Sequence, residues 1–200
     1  KNYGKMNVIV KGGRQKNSGV GIIIDPINVV NLVVYQKNSR DIQILSSADL
    51  VHSFPKLKEN FESLKYCIAI IELVNYFIHE NETNERLFNG IKKIFLLMND
   101  NSERSDIIFL RFFFFFLKEI GYDIRLDLCT LCEAKIEIRE EQFINFSLGL
   151  ICFDCSENQI ISRTISKELF DSMKCLKNRG SLNNFSLKQS SELIGILENF

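Results

Sequence analysis

Cys129-Thr-Leu-Cys132 and Cys152-Phe-Asp-Cys155 form two C-x-x-C pairs separated by nineteen residues. Thiolates at i and i+3 point from one tight turn at a single ion, and two such turns supply four soft ligands in a tetrahedron. A structural zinc site is the leading reading, with another metal or a pair of disulfides as the alternatives. A catalytic zinc keeps an open coordination position, and four thiolates close the shell. Zinc deaminases need a His-x-Glu element and a Pro-Cys-x-x-Cys turn. Here the histidines are His52 and His79, neither is followed by x-Glu, and no proline precedes Cys129 or Cys152. A thioredoxin-like role needs a C-x-x-C beside a βαβ unit, and no such pattern is present. Cys67 and Cys175 stand alone in helical patterns and read as small apolar residues.

Between the pairs, Ala134-Lys-Ile-Glu-Ile-Arg139 alternates apolar and charged, the period of a half-buried strand. Gln142 to Ser147 reads as its partner, with Glu140 and Glu141 in the turn. Gly149 leads into the second cysteine turn. A knuckle, hairpin, knuckle module over 128–156 is too small to bury a core, so metal binding would supply its folding energy.

Outward from this module the chain divides by period. Gly4 to Val10, Gly21 to Ile24, Val29 to Tyr35 and Ile42 to Leu45 read as strands, with a turn at Asp25-Pro26, and fit part of a small barrel. From Ser47 the period becomes helical. Ser47 to Leu50 reads as the opening of a short helix. Pro55 starts a long helix through Leu57, Phe61, Leu64, Ile68, Ile71 and Val74. Further helices are expected over Glu85–Met98 and Ile107–Ile120, the latter ended by Gly121. Others are capped by Ser166 and ended by Gly180, or begin at Ser190. Phe112 to Phe116 lie in the run Ile107 to Leu117, eleven residues apolar except for Arg111 and too short to span a bilayer, so a buried central helix is expected.

The 25 basic and 25 acidic side chains cancel, which argues against a simple polyanion binder. Their distribution is uneven. Residues 1–24 carry Lys1, Lys5, Lys11, Arg14 and Lys16 and no acid, and the remainder is formally −5. A basic, Gly-rich loop from Lys11 to Ser18 beside a sheet can follow a phosphate backbone without reading bases. Lys174, Lys177 and Arg179 form a second cluster that reads first as a solvated helix end. No secretory signal is visible, and paired C-x-x-C cysteines then favour a reducing cytoplasm.

The order of these parts resembles the RecO family of bacterial recombination mediators. The resemblance rests on Val10-Lys11-Gly12, Ile71-Glu72-Leu73, Leu87-Phe88, the Leu117 to Tyr122 lead into the cysteines, and Gly149-Leu-Ile-Cys152. It implies an α+β fold: a partial N-terminal OB-fold β-barrel over 1–47, then an α-helical domain over 48–200 with an inserted zinc-ribbon-like module. It implies a non-enzymatic protein, cytoplasmic and nucleoid-associated, with no membrane partner. Such a protein binds and anneals single- and double-stranded DNA and acts with RecR to load RecA. It also engages the tail of single-stranded-DNA-binding protein. By position the DNA contacts would be Lys5, Lys11, Arg14 and Lys16, and the zinc ligands Cys129, Cys132, Cys152 and Cys155. A zinc-stapled protein-interaction adaptor without nucleic-acid binding is the alternative.

Two departures stand out. Glu133 replaces the glycine expected after the first pair, so its backbone is expected to be left-handed at a cost. Leu148-Gly149 replaces Gly-Gly. The chain also lacks an initiator Met, early barrel strands and the rest of its last helix, and reads as a fragment clipped at both ends.

Overall fold

The structure is a computed structural model that describes residues 2–11, 23–37, 39–100, 104–182 and 185–200. It is a mixed α+β chain that separates into two compact units, 1–105 and 106–200.

The first unit opens with a three-stranded sheet in the order β1-β3-β2. Strand β1 (Asn7–Ile9) pairs parallel with β3 (Ile42–His52), and β2 (Val29–Tyr35) pairs antiparallel with β3. The expected turn before β2 is present. The Asn28 N–H donates to the Asp25 carbonyl at 2.9 Å, and the Asp25 carboxylate accepts from the Ile27 N–H at 3.1 Å. The extended reading of Gly21–Ile24 is not met in its described part, because Ile23 and Ile24 lead into this turn. Ser47–Leu50 is a correction. It is strand, paired with Val30 to Val33 of β2, and the 47/48 boundary falls inside β3. Local Ser-Ala-Asp chemistry favours a helix start, but the neighbouring Val-rich strand takes the segment into its ladder.

The long helix expected from Pro55 is two helices, α1 (Pro55–Glu59) and α2 (Phe61–Phe77). Asn60 breaks them with φ −100° and ψ 107°, and its side chain accepts from the Ser63 N–H at 3.1 Å. That bond satisfies one orphan donor of α2. Helix α3 (Glu85–Asn99) is capped in the same way by Asn84. The core of this unit gathers Phe54, Leu57, Cys67, Ile70, Phe95 and Met98. Phe54 meets Phe95 edge-on at 5.8 Å, and Cys67 Sγ lies 3.4 Å from Met98 Sδ.

Helix α4 (Ser105–Glu119) carries the phenylalanine run and is buried on nearly every face, as a central helix should be. Gly121, at φ +94°, ends it. The Tyr122 N–H returns to the Leu117 carbonyl at 2.7 Å and the Gly121 N–H to Lys118 at 3.2 Å, which closes a Schellman turn. No helix among the described residues is long and apolar enough to cross a membrane.

The second unit holds a sheet in the order β5-β4-β6, made of β4 (Glu141–Asn145), β5 (Gly149–Ile151) and β6 (Arg163–Ser166). The hairpin between the cysteine pairs is therefore β4–β5. Ala134–Arg139 is not a strand of this sheet; it makes one isolated bridge, Leu128 to Lys135. Glu141 belongs to β4 rather than to the turn. Three helices follow: α5 (Phe153–Ser156), α6 (Lys167–Lys177) and α7 (Leu187–Leu197). Ser166 caps α6 as expected. A capping box of Ser186 and Gln189 starts α7 three residues before the expected Ser190.

Candidate metal centre

The two knuckles are built from backbone bonds. The Glu133 N–H donates to the Cys129 carbonyl at 3.0 Å, and the Cys129 N–H to the Ala134 carbonyl at 2.8 Å. Reversing the chain so tightly requires a left-handed residue, and Glu133 takes φ +59°. Across the site, the Thr130 N–H and Oγ1–H both donate to the Leu150 carbonyl, at 2.9 and 3.1 Å. This links the first knuckle to β5. Cys152 then sits at the N-terminus of α5, and the Ser156 N–H donates to its carbonyl at 3.0 Å.

These elements bring the sulfurs of Cys129, Cys132, Cys152 and Cys155 within 4.8 Å of one another. Cys132 and Cys152, from different knuckles, stand 3.7 Å apart. The edge of a tetrathiolate tetrahedron with metal–sulfur bonds of about 2.3 Å is about 3.8 Å. All six cysteines are free thiols, so no disulfide competes for these sulfurs.

The four thiols are not equivalent. Burial pushes the Cys129 thiol up, but backbone N–H groups of Cys132, Cys152 and Leu131 outweigh that and bring it down to about 6. Hydrogen bonding to the Cys152 and Cys132 sulfurs holds the proton on Cys155 and takes it up to about 12. A cation in their midst is what allows all four to ionise together. The donor set, its closeness and its closed shell can hold one metal ion. Cys67 is different: burial pushes its thiol up to about 12, and it is a core residue. Cys175 donates to the Ser181 carbonyl at 3.2 Å.

The basic candidates belong to the first unit of the chain. Lys11 is exposed. Arg14 and Lys16 lie outside the described residues. Lys5 has a partner that sequence reasoning could not see: its Nζ lies 2.7 Å from the Asn75 carbonyl, an orphan acceptor in the last turn of α2. Its backbone bridges Glu80, and its own carbonyl accepts from the Asn81 N–H at 2.8 Å. Of the second cluster, Lys177 is ion-paired with Asp123 at 2.8 Å, and Lys174 lies over the Phe170 ring at 5.0 Å.

Fold and centre together define an α+β protein with a four-cysteine cluster that could hold a metal ion. The chain belongs to the RecO family. The family model described as Recombination protein O N terminal matches residues 1–54, and that described as Recombination protein O C terminal matches 58–198. Among curated relatives, the DNA repair protein RecO of Chlorobium limicola is 29% identical over 149 residues, covering 74% of this chain and 57% of its own. That of Syntrophus aciditrophicus is 28% identical over 159 residues, covering 78% and 60%. That of Clostridium kluyveri is 25% identical over 190 residues, covering 95% and 72%. The chain thus spans about three fifths of the length of the first two relatives.

Proposed function

We propose that this chain is part of a DNA repair and homologous-recombination mediator that binds and anneals DNA and performs no covalent chemistry. In this reading it acts with RecR, engages the tail of single-stranded-DNA-binding protein, and helps RecA onto single strands in the bacterial cytoplasm, at the nucleoid. The supporting observation is the family match across both parts of the chain, together with relatives named as DNA repair proteins. The four-cysteine centre takes zinc. Its closed thiolate shell crosslinks two knuckles and offers no open position for a substrate.

The N-terminal sheet is read as part of an OB-fold barrel, and its DNA contacts as Lys11, Arg14 and Lys16. Lys5 would have to leave the Asn75 carbonyl to reach a phosphate. Reversing the charge of Lys11, Arg14 and Lys16 in the full-length protein should weaken single-strand binding about equally for all sequences and flatten its salt dependence. A mobility-shift salt titration checks this. Salt-insensitive binding, or no loss in the triple variant, would reject the loop.

A protein-interaction adaptor without nucleic-acid contact is the second reading, favoured by the zero net charge of the chain. Partner capture with no DNA shift at low salt would select it.

A further inference from the structure

The metal module has a surface that holding a metal does not explain. Residues 127–157 contain seven acids and two bases, a formal −5 on thirty-one residues. All seven acids are exposed. Glu133, Glu140, Glu141, Asp154 and Glu157 make no ion pair among the described residues, whereas Glu137 is paired with Arg139 at 3.0 Å. Arg139 is engaged twice, because its guanidinium also lies 4.5 Å above the Phe153 ring. A dication held by the four thiolates would add a further −2.

Set among these acids are apolar side chains that a solvated module has no reason to present. Leu131 at the tip of the first knuckle is 41% exposed, and Phe153 in the second is 43% exposed. Ile138 is 51% exposed, and Leu148, beside the β4–β5 turn, 38%. The knuckle tips are held rigidly. Leu131 and Cys132 follow Thr130, which is bonded twice to Leu150, and Phe153 is fixed between Arg139 and the Phe143 ring at 6.2 Å. An ordered apolar centre needs no folding of its own when a partner covers it.

We propose that the acidic surface of residues 127–157, with its exposed Leu131, Leu148 and Phe153, docks a basic protein surface that presents apolar side chains, and that nucleic acid is excluded from it. Charge complementarity decides the occupant. A phosphate backbone approaching a surface at −5 is repelled, while a Lys- or Arg-rimmed apolar surface is steered in and held by burial of the knuckle tips. The basic and acidic ends of the chain then have separate partners: polyanion at the Lys11 end, polycation at the metal end.

The test uses metal-loaded full-length protein and four fluorescent probes: an amphipathic helical peptide of leucine and lysine, one of leucine and glutamate, one of serine and lysine, and oligothymidine. The leucine–lysine peptide should bind at least about tenfold more tightly than the other two peptides. Leu131→Ser with Phe153→Ser should weaken it by about tenfold, as should Glu141→Lys with Asp154→Lys, while metal content and circular dichroism stay unchanged. Oligothymidine should bind the Glu141→Lys/Asp154→Lys variant no more weakly than wild type and should not displace the peptide. Equal binding of the serine–lysine or leucine–glutamate peptide would overturn the proposal. So would variants that keep their metal and lose no affinity, or oligothymidine that displaces the leucine–lysine peptide.

Discussion

Glu133 shows what one residue can reveal in advance. The resemblance places a glycine after Cys132, which predicts a left-handed backbone there, and Glu133 takes φ +59°. An L-residue in this region costs about 1–2 kcal/mol, partly offset by the entropy a glycine would lose. Glu133→Gly should therefore raise the stability of the metal-loaded protein by about 0.5–1 kcal/mol in urea denaturation; a loss would show that the side chain does more than occupy the turn. Gly149 is the reverse case. At φ +111°, an added Cβ would lie 2.8 Å from Thr130 Oγ1, against the bonds that join knuckle to β5. Gly149→Ala should cost about 1–3 kcal/mol and loosen metal retention, measured by chelator competition. Arg179 was not legible. The sequence assigns the end of α6 to Gly180, but the left-handed residue is Arg179, at φ +58°. Gly180 is needed instead for close approach, since a Cβ there would meet Cys175 Sγ at 2.8 Å. That contact lies within the C-terminal turn of α6 itself, where the Gly180 N–H returns to the Cys175 carbonyl at 2.8 Å.

Elements were read best where one signal dominated. The phenylalanine run, Ser166 before α6 and Gly121 after α4 each act within a single turn, and each is where its chemistry places it. Ser47–Leu50 and Asn60 went the other way for different reasons: a non-local pairing won at the first, and a local cap on the Ser63 N–H overrode the apolar period at the second. The first is held by β2, and the second breaks a periodic apolar pattern that continues across the break in sequence. Asn60→Ala removes the acceptor for the Ser63 N–H and should cost about 1 kcal/mol in thermal or urea unfolding. Phe116→Ala, on a helix buried on nearly every face, should cost about 3–5 kcal/mol, and the contrast separates capping from packing. An Asn60→Ala loss as large as that of Phe116→Ala would mean that the two helices repack when the cap goes. The cysteine spacing singled out the four sulfurs that the fold brings together. The strand reading of Ala134–Arg139 failed because alternation reports which residues face outward, not which backbone they pair with.

At the scale of the molecule, the order of parts was legible from residue types alone: strands, helices, knuckles, helices. The basic character of residues 1–24 was legible too, whereas the acidic surface of the cysteine module was not singled out. What the sequence could not give is which basic groups are already engaged. Lys5 counts as +1 in any tally, but it lies on the Asn75 carbonyl, next to Gly4, whose φ is +74° and where a Cβ would strike the Asn81–Glu82 backbone at 2.5 Å. The division into two compact units leads us to expect that metal removal is a local event. The sheet of the second unit rests on β5, which follows directly into Cys152, and on the Thr130 to Leu150 bonds. The β2–β3 ladder lies in the other unit and shares none of those bonds. Chelation, or Cys129→Ser, should therefore raise amide hydrogen exchange across 127–157 and in β4 and β5, while β2 and β3 keep their protection. Global loss of protection in both units would show that the metal centre supports the whole fold. No change anywhere would show that the knuckles fold without a metal, and would remove the structural role assigned to the four cysteines.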